Sequence, residues 1–150
     1  MKVKVLVGSG DRVMGLWVPF AVVGIVANIL WPGVFTMGFG LVGRVVGVVV
    51  LVIGVPLWLT SVAQILILVP KKRLITTGPY AVMLHPLYTS VALLVVPGVG
   101  LLIDTWLGFA LGAVLYISSR IFSPREETIL ASIFGAEYTA YRDKVIFPWL

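Results

Sequence analysis

Apolar residues run along this chain in four long tracts, and polar positions gather between them. The first tract is Val13 to Trp31, with Asn28 its most polar member. The second, Val45 to Val69, is interrupted only by Pro56, Thr60, Ser61 and Gln64. The third, Leu87 to Ile103, contains Pro97-Gly98, which predicts a kink, and the fourth, Thr105 to Phe122, ends in Ser118, Ser119 and Arg120. A helix needs about 20 residues to cross the hydrocarbon of a bilayer. Backbone in lipid must also satisfy its own hydrogen bonds, so each tract predicts a transmembrane helix. Val45 to Val52 is rich in β-branched residues, but that propensity is a weak prior. A cleaved leader is not expected, because the first tract lacks an A-x-A-type site and Val3 to Val7 is too short for a leader's apolar core.

Composition strengthens this reading. Of 150 residues, 60% are hydrophobic and 11% charged, against about 25% charged in ordinary soluble domains. Mean hydropathy is +1.12. A chain this short cannot hide so much apolar surface in a water-soluble globule, nor can it be disordered. One all-α membrane domain over 1–150 is expected, a polytopic bundle of about four spans with a C-terminal amphipathic helix. Cysteine is absent, which removes disulfides, thiolate nucleophiles and cysteine metal sites; with His85 the only histidine, no metal site is expected. The net charge of +5 on so apolar a chain points to anionic lipid headgroups as partners and away from nucleic acid.

The cations set an orientation. Lys2, Lys4 and Arg12 precede the first span, Lys71, Lys72 and Arg73 follow the second, and Arg120, Arg125, Arg142 and Lys144 lie at or beyond the end of the fourth. Arg44 alone falls on the other side, where Asp104 separates the third and fourth spans. The positive-inside rule then puts both termini in the cytoplasm of a multi-pass protein of the cell membrane.

Two segments on that face carry nearly all the candidate chemistry. In the first, Gly78-Pro79 is a turn signal, and Pro86 pushes His85 out of the α region. Pro86 suits the first position of the third span, where backbone N–H groups beside an imidazole favour a carboxylate or phosphate. Tyr88 lies three residues on, close enough to share a site with His85. The plainer reading is of two amphipathic rings at the membrane interface. In the second segment, Ser123-Pro124-Arg125-Glu126 reads as a capping box with Pro at the first helical position. It predicts a new helix, with Ile129, Leu130, Ile133 and Phe134 on one face and basic residues near its end. Glu126 would complete the cap, and Glu127 would be a charge favoured at a helix start.

Other motifs carry less. Gly38-Phe39-Gly40-Leu41-Val42-Gly43 is a literal G-x-G-x-x-G, but no strand precedes it, and it reads as a flexible hairpin. Gly43/Gly47 and Gly108/Gly112 permit close helix packing, and Asn28 and Gln64 read as interhelical glue.

The series Gly78-Pro79-Tyr80, His85-Pro86-Leu87-Tyr88, Glu126-Glu127, Phe134-Gly135-Ala136-Glu137-Tyr138 and Tyr141 resembles the isoprenylcysteine carboxyl methyltransferase and phospholipid methyltransferase group. One difference is Leu84, where that group usually has Arg before His-Pro. The resemblance implies an integral membrane methyltransferase that uses S-adenosylmethionine, with its cofactor-binding part at about 70–148. It implies that Gly78, Pro79, Tyr80, His85, Pro86, Leu87, Tyr88, Glu126 and Glu127 enclose the cofactor. Glu127 would have a catalytic role, and Arg120 or Arg125 would contact the acceptor. That acceptor would be lipidic, either a prenylated cysteine carboxylate or a phospholipid amine. Two alternatives stand beside it: a related membrane reductase that binds a nicotinamide cofactor, and a non-enzymatic membrane protein whose site has decayed.

Overall fold

The computed structural model describes residues 10–150, so Lys2, Lys4 and the Val3 to Val7 segment lie outside the described residues. Among those residues the fold is all-helical: α1 (Gly10–Leu30), α2 (Pro32–Phe35), α3 (Gly40–Leu68), α4 (Pro79–Val82), α5 (Pro86–Leu102), α6 (Leu107–Phe134) and α7 (Ala136–Arg142). α1, α3 and α6 are long and apolar enough to cross a membrane, and α5 is a shorter apolar helix that makes a fourth span plausible. The outer faces of α1 and α3 are apolar and exposed, with Val23 at 69% and Leu41 at 76%. Hydrocarbon is the solvent such a surface requires.

The helices stack in the order α3, α5, α6, α1, so that α1 and α3, consecutive in sequence, stand at opposite edges. Small residues set the spacing. A Cβ built on Gly100 of α5 would stand 2.8 Å from the Gly108 Cα of α6, and one on Gly47 of α3 would stand 2.9 Å from the Gly98 carbonyl. The two small-residue pairs read from sequence, Gly43/Gly47 and Gly108/Gly112, thus lie largely where helices touch, and backbones can approach there because no side chain intervenes.

Just upstream of Pro97, where a kink is expected, α5 widens into one π turn at Val91–Val95. A proline ring presses on the carbonyl four residues back in a regular α-helix, and a widened turn relieves that clash. The Val96 N–H bonds to the Val91 carbonyl, and Pro97 has no N–H to give. The Ala92 carbonyl is therefore left facing the Gly112 Cα of α6, where any Cβ would collide with it.

The fourth span is longer than its apolar tract. No new helix begins at Ser123: α6 runs unbroken through Pro124 to Phe134. The Ser123 hydroxyl donates back to the Ser119 carbonyl at 2.6 Å, so it caps nothing. Ser118, Ser119 and Ser123 are all buried on the inner face of α6, each bonded within its own helix, which lets polar residues continue the span. The amphipathic portion of the C-terminal region is accordingly the last turns of α6, with Leu130 and Phe134 facing inward, followed by α7 with Tyr138 and Tyr141 buried.

At one end of the bundle the α1–α3 and α5–α6 connections interlock. The Asp104 carboxylate accepts from the N–H groups of Gly38 and Phe39 at 3.2 and 3.0 Å. The Thr105 hydroxyl donates to Asn28 at 2.9 Å, and the Trp106 ring stacks on Phe35 at 5.0 Å. The glycine-rich hairpin is thus tied down by Asp104, with Gly38 and Gly40 taking the positive φ that a tight turn needs. Lys71 to Arg73 and residues 135–150 lie at the opposite end. Reporter domains inserted at Phe35 and fused after Lys144 should report opposite sides of the membrane; the same side for both would break the four-span topology.

Candidate functional site

The site forms at the end of the bundle remote from Trp106, where α3, α5, α6 and α7 converge. Pro86 starts α5, and His85 sits before it at φ −124° and ψ 56°, its carbonyl accepting from the Thr89 N–H at 3.0 Å. Met83 before it is extended and Leu84 lies in a bend, so the imidazole is carried on a corner between two helix starts. It is buried, at 8% exposure. Its Nε2 lies 3.3 Å from Oε1 of Glu127, and its Nδ1 lies 3.9 Å from Oε2 of Glu126. An ionised carboxylate can only accept, so Nε2 carries the hydrogen in that contact. Glu126 and Glu127 are successive on α6 and diverge, which lets them straddle one ring.

Beside this cluster is a cavity of about 200 Å³. Arg73, His85 and Glu126 are the ionisable residues of its polar part. Tyr80, Tyr88, Phe134, Tyr138 and Tyr141 form an aromatic wall, and the Tyr141 hydroxyl is anchored on the Tyr80 carbonyl at 2.8 Å. Burial pushes the Tyr138 phenol up to about 12 and raises those of Tyr80 and Tyr141 as well, so all three remain protonated near neutral pH. Val62, Ile65 and Leu66 of α3 close the other side. Leu66 is 68% exposed on the outer face of α3, so this wall borders the lipid-facing surface.

The remaining parts are positioned from behind. Gly78 takes φ +61° at the start of α4, and a Cβ there would stand 3.1 Å from the Gln64 amide. Gln64 does not bridge two spans; its Nε2 donates to the carbonyl and hydroxyl of Thr77 at 3.1 and 3.2 Å, tethering the loop to α3. Pro79 and Pro86 are buried supports of the two helix starts, and Leu87 lines the cavity. Arg120 is partly buried, one of its terminal nitrogens is buried without a partner among the described residues, and its charge acts on Glu127 together with that of Arg142. Arg125 is exposed and lies outside the cavity lining.

The structure therefore gathers Tyr80, His85, Leu87, Tyr88 and Glu126 around one cavity and sets Glu127 on His85, while Arg125 stands apart. Leu84 fills a buried cluster with Tyr138, Tyr141 and Val145, so an apolar residue there is part of the packing. Sequence reasoning gave no site role to Tyr138, Tyr141, Leu74 or Ile75. The spacing of the two tyrosines, one helical turn apart, is the signal that could have found them.

A family model described as phospholipid methyltransferase matches residues 68–137. The chain is similar to that family over most of its candidate site, with Val62, Ile65, Leu66, Tyr138 and Tyr141 outside the matched stretch. The matched stretch takes in the tethered loop, His85, α5 and the Glu126-Glu127 pair. It does not single out the isoprenylcysteine carboxyl methyltransferases. No curated protein and no solved structure matches the chain.

Proposed function

We propose that this protein is an S-adenosylmethionine-dependent methyltransferase acting on a lipidic acceptor within the membrane. What carries the reading is one cavity that joins buried His85 and its partly buried partners Glu126 and Glu127, inside the segment similar to phospholipid methyltransferases, to an aliphatic wall on a membrane-length helix that borders the lipid-facing surface. A soluble substrate has no need of such a wall.

The donor set fits the cofactor. S-adenosylmethionine presents a carboxylate, an ammonium, a sulfonium and an adenine. Glu126 and Glu127 suit the ammonium, Arg73 in the cavity lining and the unpartnered nitrogen of Arg120 suit the carboxylate, and the tyrosine wall suits the adenine. When bound, the cofactor supplies an electrophilic methyl group. The protein's own task is to hold acceptor and methyl in line and to keep water out, and such positioning is worth up to about 7–11 kcal/mol of barrier. An amine acceptor must also lose a proton, for which His85 or a carboxylate beside it is in place; a carboxylate acceptor, such as that of a prenylated cysteine, needs no base. The cation distribution favours the cytoplasmic face of the cell membrane for this end of the bundle.

Calorimetric titration of the purified protein in detergent separates this reading from a nicotinamide-dependent reductase and from a protein with a decayed site. Saturable heat with S-adenosylmethionine and none with NADPH is expected. Binding of NADPH alone, or of neither, would refute the proposal.

A further inference from the structure

The segment after α7 turns back toward the membrane and lies along the residues that carry His85. The Phe147 N–H donates to the Val82 carbonyl at 2.8 Å, and Met83 and Phe147 pair in parallel. The His85 N–H donates to the Leu150 carbonyl at 3.2 Å. The Tyr116 hydroxyl, from the middle of α6, donates to the Trp149 carbonyl at 3.1 Å. Val145, at the start of this return, is buried with Leu84, Tyr138 and Tyr141.

Depth explains why these bonds matter. From the interlocked connections at Trp106, α5 rises 17 residues to Pro86, or about 25 Å. A bilayer core is about 30 Å thick, so a helix of this length that starts at one surface ends short of the other. The non-helical backbone from Met83 to His85 would then be at a depth where irregular structure survives only if protein covers and pairs it. Residues 147–150 do both.

We infer that residues 147–150 form a strap that positions His85, pinned to α6 by the Tyr116 hydroxyl. The inference deepens the proposed function and rests on it for its catalytic meaning. Tyr116 is a positioning residue: it does not line the cavity, its ring packs against the core cluster that contains Tyr88, and its hydroxyl acts on His85 through Trp149 and Leu150. With the pin removed, the strap loosens, the His85 N–H loses its acceptor, and the imidazole drifts from the two carboxylates.

His85 is the only histidine, so protein labelled at histidine gives one set of imidazole NMR signals. Tyr116→Phe deletes the hydroxyl and keeps the ring. The matched control is Trp106→Phe, which removes the Trp106 indole bond to the Val34 carbonyl at the far end of the bundle. The imidazole signals should shift or broaden in Tyr116→Phe and coincide with wild type in Trp106→Phe, with S-adenosylmethionine affinity about fivefold weaker in the former only. Unchanged imidazole signals in Tyr116→Phe would overturn the strap, as would equal changes in both variants, which would mark general loosening. A wild-type protein that binds no S-adenosylmethionine would remove the functional reading, while the imidazole comparison would still decide whether the strap sets His85.

Discussion

His85→Ala is expected to weaken S-adenosylmethionine binding by at least about tenfold while the protein stays folded and extractable. Hydrogen bonds to charged groups contribute about 1.5–3 kcal/mol, which corresponds to one to two orders of magnitude in affinity. The substitution removes a side chain that bridges Glu126 and Glu127. Its cost to folding should be small, since Pro86 and Thr89 hold the corner through backbone geometry that alanine retains. Tyr88→Phe deletes a hydroxyl from the cavity wall and should have a smaller effect in the same direction. Calorimetry with thermal melting checks both, and wild-type affinity in both variants would place the cofactor elsewhere.

The acidic pair should respond unequally to neutralisation. The Ser123 capping box would have made Glu126→Gln harmless, because glutamine also completes such a box. Since α6 passes straight through Ser123 and Pro124, that protection is gone and Glu126 stands as a cavity carboxylate. Glu126→Gln should cost about tenfold in cofactor affinity, because a charge-assisted hydrogen bond becomes a neutral one of roughly half the strength. Glu127→Gln retains an acceptor for the His85 Nε2–H and should lose less. Neither residue caps a helix, so both variants should melt within a few degrees of wild type. Native affinity in both would make the pair structural.

The spans were legible because a bilayer enforces a simple rule, an apolar run of membrane length, and α1, α3 and α5 follow it to within a few residues. The site was legible where proline fixes the backbone: Pro86 put His85 at a helix start, and helical spacing put Tyr88 beside it. Ser123 to Glu126 misled, because a local capping pattern says nothing of neighbours that bury Ser118, Ser119 and Ser123 and so carry the helix onward. The π turn before Pro97 and the strap on His85 were not legible. One depends on a glycine across a helix interface and the other on pairing between residues more than sixty positions apart, and neither leaves a periodic signal. Arg120 and Arg125 looked equivalent in sequence, yet five residues along one helix set them on different faces, one partly buried near Glu127 and the other exposed.

The central claim is that this cavity transfers a methyl group to a lipid. Protein reconstituted in vesicles made from a bacterial lipid extract, supplemented with a prenylated cysteine, can be incubated with S-adenosylmethionine labelled in its methyl group. Label should enter the organic-extractable lipid fraction in proportion to protein and time. His85→Ala and Glu126→Gln should lose that incorporation, while Arg125→Ala, whose side chain lies outside the cavity lining, should keep it. No label in lipid from the wild-type protein, or equal label from wild type and His85→Ala, would contradict the account.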